Sequence, residues 1–234
     1  MTLINHRALV TTMRQYSTVP LERLESRAPI IFFLAGAWFA GYAGLKTVRL
    51  MTEIVVPDVV SVTAGHLGLI AVAIGLLSIY PRVRTAAPRS ARAGVVVSVL
   101  SGVCSIVLLV AVLHLTVSMG RLPAIPEDTA RGILRPIVGV VLLLVSLFTI
   151  LLGFFLFGVA SVRTDSVSAP VGYLLLVPSI MWTMLFVMHA TGVNGTLIGV
   201  LVYPPIAASV LSIGYRLRVE TSSGYVTSLI DSPA

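Results

Sequence analysis

The chain has 234 residues, 57% of them hydrophobic and only 11% charged, with a formal net charge of +7. A soluble domain carries about a quarter of charged residues, so this composition, with a mean hydropathy of +1.01, excludes an ordinary water-soluble fold. The positive charge does not indicate nucleic acid, because the arginines flank apolar runs instead of gathering on one face with stacking aromatics.

In chain order, residues 1–28 carry Arg7, Arg14, Arg23 and Arg27 but no apolar core, so they do not resemble a cleavable signal peptide. They are expected to form a cytoplasmic leader, with Val19, Leu21 and Leu24 offering a short interfacial face. A flexible solvated leader is the alternative. Apolar continuity then predicts membrane helices over 29–49, 58–80, 93–119, 133–160, 170–190 and 195–215. A hydrocarbon core about 30 Å thick needs about 20 such residues, and no alternating strand pattern points to a barrel. The expected fold is therefore all-α: an integral membrane bundle of six transmembrane helices occupying 29–215. Residues 216–234 are expected to form a short cytoplasmic tail, its Ser- and Thr-rich part from Val219 to Ala234 disordered.

Six spans put both termini on one side. On that side fall Arg7, Arg14, Arg23, Arg27, Arg82, Arg84, Arg89, Arg92, Arg163, Arg216 and Arg218, against Lys46, Arg49, Arg121, Arg131 and Arg135 on the other. The 11-to-5 split predicts a cell-membrane protein with both termini cytoplasmic. The arginines also suit anionic headgroups, making the lipid bilayer the expected partner and nucleic acid not one.

Helices in lipid associate through small residues that let backbones approach. Gly94, Ser98 and Gly102 form such a row in the third span, and Ala37 with Gly41, Ala40 with Gly44, Ala64 with Gly68 and Ala71 with Gly75 give shorter ones. Packing within the bundle is the expectation, with homo-oligomerisation or docking in a larger membrane complex as the alternative. Pro178 lies inside the fifth span and Pro204 with Pro205 inside the sixth, so kinks or short unwound segments are expected there, as candidate hinges.

The candidate pocket rests on three histidines. His66, His114 and His189 fall in the second, third and fifth spans, all toward the expected outer side. A polar side chain in the membrane is expensive unless it faces a partner or cavity. At 1.5 Å per residue His66 lies ~12 Å below its helix end, His114 ~7 Å, and His189 near the boundary. Imidazole ligates haem iron, copper or zinc, and a bis-histidine site joining His66 and His114 is the easier metal geometry; no cofactor is specified. Trp182 joins the pocket candidates, being on one helix face with Pro178 and His189.

Catalytic signatures are absent: there is no HExxH, GxSxG or Walker pattern, and no Asp or Glu lies in the central part of any span. The single cysteine, Cys104, excludes an intramolecular disulfide. Three functional classes follow: a small permease-like protein with an outward-facing polar pocket, a haem- or metal-binding redox subunit, and a noncatalytic accessory subunit.

Overall fold

The computed structural model describes residues 23–52, 58–119, 130–164 and 167–230. The expectations for the leader before residue 23, for Arg121 and for residues 231–234 lie outside the described residues. Among the described residues are six long helices: α1 Ala28–Met51, α2 Asp58–Val83, α3 Pro88–Met119, α4 Ala130–Thr164, α5 Ala169–Ala190 and α6 Gly195–Ile230. Each contains a stretch long and apolar enough to span a membrane, from Ala28–Met51 in α1 to Gly195–Glu220 in α6. The all-helical fold is as the sequence predicts, because in lipid every backbone polar group must find its partner within the segment.

Two departures stand out. Helix α6 continues to Ile230, so the expected disorder from Val219 onward is not what the described part of the tail adopts. The helix also runs unbroken through Pro204 and Pro205, and α5 runs unbroken through Pro178. No unwound segment forms at any of the three, consistent with the tolerance of membrane helices for proline where neighbours hold the chain.

Each helix packs against its neighbours in sequence, α6 closes back on α1, and α2 also touches α4 across the interior. Helix α3 therefore sits in the angle between α2 and α4. One interior compartment is bounded by α1, α2, α4, α5 and α6, and a narrower seam by α2, α3 and α4. We call the end where α1 begins and α6 leaves the bundle proximal, and the opposite end distal.

Closure of α6 on α1 depends on two glycines. A Cβ at Gly36 would stand 2.5 Å from Leu211 Cγ, and one at Gly214 would stand 2.9 Å from the Pro29 carbonyl oxygen. The anticipated small-residue row in α3 is likewise used within the chain: Gly94 receives the Phe157 ring, Ser98 packs at the Gly153 position, and Gly102 faces Ala73. Gly68 and Gly75 of α2 receive Phe39 and Phe32. The α1 pairs behave otherwise. Ala37, Ala40, Gly41 and Gly44 are exposed, and a Cβ on either glycine would meet nothing.

The α5–α6 hairpin shows how the distal end is fixed. Gly192 adopts φ +77°, the left-handed region that glycine enters without Cβ strain. The Val193 N–H donates back to the Met188 carbonyl at 3.0 Å. Asn194 then caps α6, its Oδ1 accepting the Thr196 N–H at 2.8 Å.

Candidate functional site

Three of the four pocket candidates do not converge. His66 is buried at 6% exposure. It precedes Ala73 by seven residues, two helical turns, so it shares the α2 face that Ala73 turns to Gly102 of α3. His114 is exposed on α3, and His189 is exposed at the distal end of α5. There the His189 Nδ1 pairs with its own helix's Leu185 carbonyl oxygen at 3.0 Å. His66 is thus turned into the bundle and His114 away from it. Among the described residues no group of three His, Cys, Asp or Glu is placed to hold a metal ion. A histidine near a span end can turn outward to the interface, which the sequence pattern alone does not distinguish from an inward one.

Trp182 is the pocket candidate that reaches the centre. It is fully buried, edge-on to Phe39 of α1 with ring centroids 5.9 Å apart and tilted on Phe154 of α4 at 5.6 Å. Tyr203 of α6 packs on Phe39 at 6.1 Å and on Tyr42 of α1 at 4.4 Å. Above Tyr42 stands Lys46, its Nζ 5.3 Å from the ring centroid and its stem against Gly199 of α6. Spacing of four residues places Tyr42 and Lys46 on one face of α1. Lys46 lies ~8 Å from the distal end of its helix, and Trp182 ~12 Å from the distal end of α5.

Lys46 on the distal side thus leads to Tyr42, Tyr203 and Trp182, which lie at about one level, ~12–14 Å from the distal ends of their helices, and pack on Phe39 and Phe154. Within this group, the Trp182 Nε1 lies beside the Tyr203 side chain without a well-formed hydrogen bond. Indole nitrogen only donates, and a buried donor without an acceptor costs about 1–3 kcal/mol. Sequence reasoning missed Tyr42 and Lys46. The available signal was that the only lysine of the chain falls inside a span, four residues after a tyrosine.

The α3–α4 seam holds a second polar group, fully paired at its centre. The Ser146 Oγ lies 2.7 Å from Ser105 Oγ and 3.3 Å from Ser101 Oγ, and Ser101 Oγ donates to the Ser146 carbonyl at 2.9 Å. One turn toward the proximal end, the buried Ser98 Oγ has no partner, and neither does His66 Nδ1 on the adjoining α2 face. Ser179 ties α5 to α4 by donating to the Leu151 carbonyl at 3.1 Å. These hydroxyls act as interhelical links, the use that low-dielectric surroundings favour.

Comparison with protein-family models, with curated proteins and with solved structures returns no match for this chain. Functional inference therefore rests on the geometry of these residues.

Proposed function

We propose that the protein is a small solute-handling, permease-like membrane protein whose binding track is the line Lys46, Tyr42, Tyr203 and Trp182. The observation that carries this reading is the buried Trp182 Nε1, a donor that lies beside Tyr203 without a well-formed hydrogen bond. Such a donor favours a solute presenting an oxygen acceptor, and Lys46 at the outer end is also a donor only. The class is thus a small acceptor-bearing molecule: a carboxylate, an amide or a polyol. With the chain in the cell membrane and both termini cytoplasmic, as the arginine distribution supports, the track opens outward. Of the histidines, only His66 remains an interior polar group, in the neighbouring seam.

The test is flux of acetate, urea and glycerol in proteoliposomes. The proposal expects at least one of these to cross faster than in protein-free vesicles, with the excess reduced in both Trp182→Phe and Tyr203→Phe. Leakage equal to that of empty vesicles for all three would reject it.

The accessory reading retains one specific support, the exposed face of Ala37, Ala40, Gly41 and Gly44 on α1. Small residues at that spacing allow a helix of another protein to approach closely. In that case Gly44→Leu releases a co-purifying membrane partner while leaving the monomer folded, and an unchanged composition on purification counts against it.

A further inference from the structure

We infer that Arg82 forms a charged strap that holds the proximal mouth of the bundle closed. Its Nε lies 2.8 Å from Glu25 Oε1 and its Nη1 3.5 Å from Glu220 Oε2. The three residues come from three places. Glu25 lies in the helical turn before α1, Arg82 next to the last residue of α2, and Glu220 where α6 leaves its apolar stretch.

The span of this contact is what gives it meaning. Helices α2 and α6 both flank α1, but among the described residues their backbones make no close approach to each other. Arg82 to Glu220 bridges that gap across the start of α1. Beneath it the interior is apolar and filled: Val83 is fully buried, Leu217 is 1% exposed and Ala28 2% exposed. The side chains of Arg82, Glu25 and Glu220 are themselves between 23% and 29% exposed, which places them at the mouth rather than in bulk solvent.

One guanidinium serving two carboxylates also favours a strap over a fixed core contact. Its donors point in separate directions from one planar group, so one side chain can tie two elements at once. Pairs at this degree of exposure are modest in strength, so releasing them shifts an equilibrium between closed and open mouths without unfolding the bundle. The inference concerns access from the proximal side and does not depend on which solute, if any, the distal track binds. Its test reads accessibility and not flux, so the two readings fail separately.

The experiment uses the full chain in membranes with Cys104→Ala, which removes the only native thiol. Two reporters are introduced separately on α6: Leu217→Cys at the proximal end and Ile198→Cys, also 1% exposed, at the distal end. Each is reacted with a charged, water-soluble methanethiosulfonate given access to both membrane faces. Arg82→Gln is expected to raise the Leu217→Cys rate about tenfold, the ratio for losing roughly 1.4 kcal/mol of closure, with the Ile198→Cys rate unchanged. Glu25→Gln with Glu220→Gln, which leaves the arginine in place, is expected to do the same. An unchanged proximal rate in both backgrounds overturns the strap, and so does an equal rise at the two ends, which signifies general loosening.

Discussion

Trp182 of α5 and Phe39 of α1 meet edge to face with ring centroids 5.9 Å apart, although their helices are not neighbours around the bundle. The indole crosses the interior to make this contact and joins Phe154 and the tyrosine pair to one aromatic core. A residue of the polar line is thus also a large part of the packing that holds the bundle together.

That double role separates two substitutions. Trp182→Ala leaves a cavity among Phe39, Phe154 and Tyr203 and should destabilise the protein by about 3–5 kcal/mol. Trp182→Phe keeps most of the ring and removes the N–H, so it should cost much less stability while still lowering solute flux. Reversible unfolding in mixed detergent micelles, run beside the flux assay, distinguishes the two.

Contact between α1 and α6 predicts a graded glycine series. Gly214→Ala brings a Cβ against the Pro29 carbonyl oxygen and the Phe33 amide nitrogen, both backbone atoms that cannot rotate away. It should cost about 1–3 kcal/mol. Gly44→Ala adds its methyl into open space and gains helix propensity, so its effect should lie within about 1 kcal/mol of zero or be stabilising. Thermal unfolding in one detergent tests the order.

Serines in the α3–α4 seam divide by whether they are paired. Ser146→Ala removes the hydroxyl that both Ser101 and Ser105 approach and should cost about 0.5–2 kcal/mol. Ser98→Ala removes a buried hydroxyl with no partner, so it should be neutral or stabilising. Equal losses from the two would contradict the hydrogen-bond assignment.

Sidedness is open to direct measurement. Arg84 is exposed in the α2–α3 connection and sits among the arginines that predict a cytoplasmic proximal end. In the Cys104→Ala background, Arg84→Cys should be unreactive toward an impermeant maleimide in intact cells and react once they are permeabilised. Labelling of intact cells would reverse the orientation.

The helices were legible in the sequence because the membrane imposes length and apolarity on each of them. The α5 and α6 starts fall at Ala169 and Gly195, within a residue of where the apolar runs begin. The end of α6 was not legible, since hydropathy fades at Arg216, Arg218 and Glu220 and the Thr, Ser and Gly residues that follow are poor helix formers. Hydropathy also does not say which way a polar side chain turns. That separated Trp182, which reaches the interior, from His114 and His189, which do not. The Arg82 strap was visible only as half of itself: the arginine was read for its sidedness, while its partners lie 57 residues before it and well over a hundred after it. Tyr42 and Lys46 acquire meaning only once α6 is folded against α1.

The most direct test of the binding track uses the two tryptophans of the chain. Trp38 is 41% exposed on the outer face of α1, and Trp182 is fully buried. Trp38→Phe therefore leaves a single tryptophan, in the track itself, which can be excited selectively over the tyrosines. Titration with acetate, urea and glycerol should shift or quench the Trp182 emission saturably for at least one of them, and Tyr203→Phe should weaken that response. Emission that stays constant with all three, from protein shown to be folded by its unfolding transition, would contradict the assignment of this line of residues as a solute site.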